Sequence, residues 1–259
     1  MISLLSAAKE FIDKFKGIRI STRPDCIDTE VLKILKDFGV TSIELGAQSM
    51  DDRVLLLNNR GHNSESVRKS SKLIKASGFS LGLQMMTGLY GSSDESDIFT
   101  AQEFIKLKCD TVRIYPTVLL KNTYLEELFY CGEYEPQSVE AAVNICSKLI
   151  PMFEQADVSV IRVGLHSSDT LEENIVAGAY HPAFRELCEN KIYLNYILDL
   201  IKTDNFRKGR INVFVSPSSL SKAIGQNKTN FNVLLNLGYE PKFIEDSKLM
   251  NRQIYLQEG

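Results

Sequence analysis

The stretch Asp28-Thr29-Glu30-Val31-Leu32-Lys33-Ile34-Leu35-Lys36-Asp37-Phe38-Gly39-Val40-Thr41-Ser42-Ile43-Glu44-Leu45 contains one complete phrase of the fold. Val31, Leu32, Ile34, Leu35 and Phe38 recur at helical spacing, so residues 29–38 are expected to form a helix with one apolar face. Asp28 offers a carboxylate to the unpaired N–H groups of the first turn, and Gly39 can adopt the left-handed backbone that stops a helix. Residues 41–45 then read as a strand.

The phrase repeats on both sides. An amphipathic helix over 4–15 precedes a short strand at 18–20, and a helix over 64–77 ends at Gly78 before a strand over 79–85. A helix over 94–107 and a strand over 111–115 follow. Strands separated by one helix cannot form hairpins, so they are expected to run parallel with right-handed crossovers, in an α/β fold. Ligands of such folds sit beyond the carboxyl ends of the strands. Those ends carry Ser21-Thr22-Arg23-Pro24-Asp25, Gly46-Ala47-Gln48-Ser49, the run from Gln84 to Gly91, and Tyr115-Pro116-Thr117.

Past residue 117 the rhythm loosens into helices near 123–129 and 138–154, a strand over 158–163 and a helix over 182–201. A strand at 211–215, two helices around a Gly225 turn, and strands near Phe243 and Ile254 then form a small β-α-α-β-β unit. The expected division is a first domain at 1–202 and a second at 210–259, with the boundary between 202 and 210.

Composition narrows the possible functions. The 259 residues are 44% apolar and 24% charged, as in ordinary globular chains, and a net charge of -3 excludes a whole-chain basic field. The balance is uneven: residues 201–259 hold 9 Lys or Arg against 5 Asp or Glu, whereas residues 1–200 hold 21 against 28. Nothing approaches the roughly 18 uninterrupted apolar residues of a membrane span, and the start lacks a signal peptide, so a cytoplasmic protein without membrane contact is expected. Cys26, Cys109, Cys131, Cys146 and Cys188 are too scattered for a disulfide framework or a CxxC knuckle, and with only His62, His166 and His181 no zinc site is expected.

Five segments in order carry a family resemblance: Ile20-Ser21-Thr22-Arg23-Pro24-Asp25; Gly39 through Ser49; Asn59-Arg60-Gly61-His62; Gly82-Leu83-Gln84-Met85-Met86-Thr87-Gly88-Leu89; and Arg113-Ile114-Tyr115-Pro116-Thr117. Over roughly 18–190 the chain resembles the Elongator-catalytic-subunit branch of the radical SAM superfamily, with the oxygen-independent coproporphyrinogen dehydrogenases as more distant relatives. The resemblance implies a partial (β/α) barrel cradling S-adenosylmethionine (SAM). In such proteins a 4Fe-4S cluster on a CxxxCxxC loop reduces SAM to methionine and a 5'-deoxyadenosyl radical, which abstracts hydrogen from substrate. This chain contains no CxxxCxxC, and by comparison with the family pattern it starts about one and a half β/α units late. Met1 is therefore expected to be either internal to a longer protein or the start of a truncated, cluster-free relative.

Carried over residue by residue, the resemblance implies SAM contacts from Ser21 to the ribose, where many relatives have a carboxylate, from Gln48 to the sugar or methionine portion, from Gln84 to the ribose hydroxyls, and from Arg60 to the SAM carboxylate. Arg23, Glu44 and Tyr115 are expected to line the same cavity. Gly88-Leu89-Tyr90-Gly91 stands where the family has Gly-Leu-Pro-Gly, so a more mobile turn is expected. His62 is expected to cap the following helix. Residues 211–256 resemble a minimal KH module in which Lys228 replaces the second glycine of Ile-Gly-x-x-Gly, and Arg207, Lys208, Arg210, Lys222, Gly225 and Lys228 would contact RNA or tRNA. Three readings stay open: the SAM-binding part of a radical SAM protein acting on RNA, a non-catalytic RNA-binding scaffold, and a SAM or nucleotide sensor. An open barrel edge also leads us to expect a homodimer.

Overall fold

The computed structural model describes residues 2–259, so Met1 lies outside the described residues. The chain divides into two units, one comprising residues up to Ile145 with Leu149–Pro182, the other Cys146–Lys148 with Ala183–Gly259.

The first unit begins with α1 (Ile2–Lys9), β1 (Ile18–Thr22), α2 (Thr29–Asp37), β2 (Val40–Gln48), α3 (Asp52–Leu57), α4 (Ser64–Ala76), β3 (Ser80–Thr87), α5 (Asp94–Lys106) and β4 (Thr111–Pro116). It continues through β5 (Val118–Leu120), α6 (Tyr124–Tyr130), α7 (Val139–Gln155), β6 (Ser159–Val163), α8 (Asp169–Asn174) and β7 (Ile175–Gly178). Strands β1, β2, β3, β4 and β6 form one sheet in that order, every neighbouring pair parallel. Asp28 caps α2 by accepting the Val31 N–H, and Phe38 closes it before Gly39, whose φ is 77°. Ile43, Leu45, Leu81, Leu83, Met85, Val112 and Ile114 have no measurable exposure and form the apolar side of the sheet. The core lies on that side. β5 and β7 make a separate antiparallel pair.

The continuous helix expected over 4–15 is not formed. α1 ends at Lys9 and a single 3-10 turn covers Ile12–Lys14. Only Leu5 of α1 is buried, while Leu4, Phe11 and Phe15 stand 76%, 51% and 69% exposed, so no burial compensates the ordering of further turns.

The second unit contains α9 (Phe184–Thr203), β8 (Gly209–Val215), α10 (Leu220–Ile224), α11 (Thr229–Asn236), β9 (Tyr239–Glu245) and β10 (Ile254–Glu258). Its sheet has the order β10-β8-β9, with β8 parallel to β9 and antiparallel to β10. Tyr193, Leu194, Ile197 and Ile201 of α9 share a core with Ile211, Val213 and Val215 of β8 and Leu234 of α11. The expected division between 202 and 210 thus lies inside this unit, because α9 supplies four of the ten buried residues of its core. Tyr193 also joins a buried polar knot, donating to Ser219 Oγ at 2.6 Å and accepting the Arg252 N–H at 3.0 Å.

Candidate functional site

The face of the five-stranded sheet opposite the apolar core is polar. Parallel register places Ser21, Glu44 and Gly82 in one row, and Gln84 beside Arg113 in the next. Side chains alternate along a strand, so Gln84 and Met86 on β3, and Arg113 and Tyr115 on β4, share this face. The Glu44 carboxylate, 3% exposed, meets Arg113 Nε at 2.8 Å and accepts the Ser21 hydroxyl at 3.3 Å. Arg113 Nη1 donates to Tyr115 OH at 3.4 Å; this hydrogen bond, with the nearby Glu44 charge, holds its guanidinium pKa above the ordinary value. A carboxylate, a guanidinium, a hydroxyl and a phenol are thereby joined in one fixed network.

Gln48 closes β2 in an unusual conformation. Its φ is 66°, where non-glycine residues are uncommon, and the β2–β3 register slips between Leu45 and Gln48. The bulge turns the Gln48 side chain toward β3, where it accepts a hydrogen bond from Gln84 Nε2 at 3.3 Å. Gln48 is 5% exposed, so the two amides are fixed beside each other.

Arg60 lies in the loop between α3 and α4, lining a cleft of about 620 Å³ with Asp52, Leu55, Asn59, His62 and Ser66. Burial, then the neighbouring charge of Arg23, pushes its guanidinium pKa below the ordinary value, and among the described residues no carboxylate pairs with it. His62 does not cap α4. Asn63 takes that place by accepting the Ser66 N–H, while the two His62 ring nitrogens reach Arg60 O at 3.2 Å and Ala47 O at 3.1 Å. Because Ala47 precedes Gln48, that histidine fastens the Arg60 loop to the end of β2. Arg23 is spent elsewhere: it forms a 2.6 Å ion pair with Asp25 at the exposed rim.

The turn at Gly88 is tied down rather than loose. Gly88 N–H donates to Asp97 Oδ2 at 3.2 Å, Gly88 O accepts from Tyr134 OH at 2.7 Å, and Asn58 Nδ2 holds Tyr90 O at 2.9 Å. Gly88 has φ 70°, and a Cβ there would meet Gln137 Oε1 at 2.6 Å. Asp97, 2% exposed, is pushed up to about 7, mainly by burial.

Arg113 and Asp97 were not among the expected site residues. Arg113 stands two positions before Tyr115, so strand alternation alone was a signal for it; Asp97, an acidic residue in the first turn of α5, has no distinctive local pattern. The described residues contain no group of three His, Cys, Asp or Glu able to hold a metal ion, and all five cysteines are free thiols. They do not fit a 4Fe-4S cluster. No helix among them is long and apolar enough to cross a membrane.

In the second unit, Gly225, Asn227 and Lys228 have φ of 85°, 52° and 60°. Lys228 therefore adopts the glycine-like backbone at the position where the KH pattern has glycine. Asn230 Nδ2 secures this turn by donating to Asn190 O at 2.7 Å and Ala223 O at 3.0 Å. Lys222 and Lys228 flank the turn, whereas Arg207 and Lys208 precede β8 and Arg210 is its second residue, with Arg210 Nε 3.4 Å from Glu240.

Comparison with known proteins places these features in context. A model described as the Radical SAM superfamily matches residues 2–103, and one described as the Radical SAM C-terminal domain matches 109–193. A tRNA uridine(34) acetyltransferase from Methanocaldococcus infernus is 38% identical over 135 residues, 49% of this chain and 24% of that protein. Elongator complex protein 3 of Dictyostelium discoideum is 31% identical over 179 residues, 68% of this chain and 31% of that protein. The solved structure of the archaeal Methanocaldococcus infernus Elp3 with an N-terminal deletion superposes with a TM-score of 0.63 at 26% identity, covering 79% of this chain and 48% of that one. The chain thus spans about a quarter to a third of the length of these two curated relatives.

Proposed function

The chain belongs to the radical SAM superfamily, and from that premise we propose that its first unit cradles S-adenosylmethionine, with RNA, tRNA included, as the macromolecule it serves. The carrying observation is Gln48, a buried residue held in a left-handed conformation so that its amide meets Gln84 beside the Glu44–Arg113 pair. Such strain persists where the surroundings impose it, and binding sites are where it concentrates. In this reading Gln48, Gln84 and Ser21 hydrogen-bond the sugar hydroxyls, and Glu44 and Tyr115 line the cavity through Arg113. Arg60, a half-buried cation lacking a carboxylate partner, suits the carboxylate of the methionine portion, with the Arg23–Asp25 pair lining the rim.

The Fe-S cluster supplies reductive cleavage of SAM when bound in family members, and the described residues offer it no ligands. The chain alone therefore binds SAM without cleaving it, as the cradle of a larger enzyme or as a sensor. Reconstitution with iron and sulfide is expected to leave no stoichiometric visible chromophore; a stable 4Fe-4S centre would overturn that statement. Calorimetric titration tests the cradle: the parent chain should release or absorb heat with SAM, Arg60→Ala should weaken binding about tenfold or more, and a silent titration at millimolar SAM ends the proposal.

The RNA reading is supported by the relatives' printed function on tRNA, by the basic excess of residues 201–259, and by the Gly225–Lys228 turn, whose KH-like backbone leaves Lys222 and Lys228 to neutralise phosphate. β1, which among the described residues pairs with β2 alone, supports self-pairing into a dimer, for which concentration-independent monomer mass in light scattering would be the contrary result.

A further inference from the structure

All three helices of the second unit lie on one side of its sheet, against Ile211, Val213 and Val215. On the other side no helix of this unit covers the strands. Register places Tyr255, Phe214 and Ile244 in one row across that bare side, and Gln257, Asn212 and Lys242 in the next. Arg210 and Glu240 form the third row. The rings of Phe214 and Tyr255 are stacked, centroids 4.4 Å apart and planes 7° from parallel. Tyr255 is held further by its hydroxyl, which donates to Asp246 Oδ2 at 3.1 Å. Tyr255 lies on β10, an edge strand of this sheet, where it borders a cleft of about 580 Å³ that Tyr196, Asp199 and Leu200 of α9 also line.

From this arrangement we propose that the bare sheet face binds the unpaired bases of single-stranded RNA, a site separate from the Gly225–Lys228 turn; the proposal rests on the RNA reading above. A rigid aromatic pair extends its stack onto any planar base, and bases stack without regard to sequence because each has a π-face. The neighbouring row carries two amides that can bond base edges and one ammonium for phosphate. Arg207 and Lys208, just before this row in the chain, continue the positive charge. The sole carboxylate among these three rows, Glu240, is paired with Arg210 at 3.4 Å. A protein partner would want a broad apolar patch, and this face offers three apolar side chains beside amides and cations.

The test is fluorescence anisotropy of the full chain with a labelled single-stranded uridine dodecamer and with a duplex of the same length. The single strand should bind more tightly than the duplex. Tyr255→Ala should weaken single-strand binding about tenfold, Tyr255→Phe less than about twofold, and Lys242→Gln about threefold, with far-UV circular dichroism unchanged throughout. Photo-crosslinking with 5-iodouridine should mark Phe214 or Tyr255. If Tyr255→Ala and Phe214→Leu bind like the parent while Lys222→Glu with Lys228→Glu abolishes binding, the face is not the base site although the RNA reading stands. If the parent binds no RNA, that reading falls and the face with it. A parent dimer that Tyr255→Ala dissociates would assign the face to a second copy and overturn the proposal.

Discussion

Each unit of this molecule packs apolar residues against one side of a sheet, yet the two opposite sides are built from contrasting materials. In the first unit the face is polar and internally paired, with Glu44 committed to Arg113 and Gln48 to Gln84. In the second it carries a ring stack flanked by amides. The difference teaches what each face can receive. Pre-paired charges in a partly dry setting suit a small charged molecule whose groups replace or extend existing hydrogen bonds, whereas a bare ring stack gains by adding another flat surface.

The sharpest way to break this comparison is to unpair the first face. Glu44→Ala leaves the Arg113 guanidinium, 28% exposed, without its carboxylate, and should cost about 2–3 kcal/mol in chemical denaturation. A loss below about 0.5 kcal/mol would mean the pair is not structurally committed. Next comes Asp97, whose folded pKa of about 7 lies above the ordinary 3.8. A raised carboxyl pKa contributes stability that is complete below about 4 and lost as pH rises through about 7. The parent should therefore melt lower at pH 8 than at pH 5, and Asp97→Asn, which stays neutral, should flatten that difference by about 1–3 kcal/mol. An unchanged pH profile in the variant would remove Asp97 as its source.

Smaller effects sharpen the contrast. Gln84→Ala should lower SAM affinity about five- to tenfold while shifting stability by less than about 0.5 kcal/mol, because Gln84 is only partly buried. Equal losses in folding and affinity would argue for a merely structural amide. The mildest is Lys222→Ala with Lys228→Ala, expected to reduce the salt slope of RNA binding by about 1–2 without altering the melt. An unchanged slope would take the turn out of the RNA path.

Much of the fold was legible because its punctuation is local. Asp28 caps a helix and Gly39 and Gly78 end helices through interactions within a few residues, so the repeated helix-strand phrase could be read directly. The rim residues were legible for a related reason, since each follows an apolar strand. Non-local choices were not. The apolar spacing of residues 4–15 is that of a longer helix, but whether a core lies beneath Phe11 and Phe15 is decided by distant parts of the chain. α9 buries residues on several sides, so its periodicity could not say which unit it joins. His62 was expected to serve the helix it precedes; its actual partner, Ala47 O, lies 15 residues back. Arg113 escaped notice because its importance comes from Glu44 on a strand 69 positions away.

The five parallel strands lie in the same order in space as along the chain. Each strand up to β4 can dock on the one synthesised just before it, so the sheet can grow stepwise as the polypeptide leaves the ribosome. Only the last addition must wait, because β5 and two helices intervene between β4 and β6. A translational pause placed after β6 would let these five strands emerge together, while one placed before it would hold the edge of β4 open to the wrong neighbour.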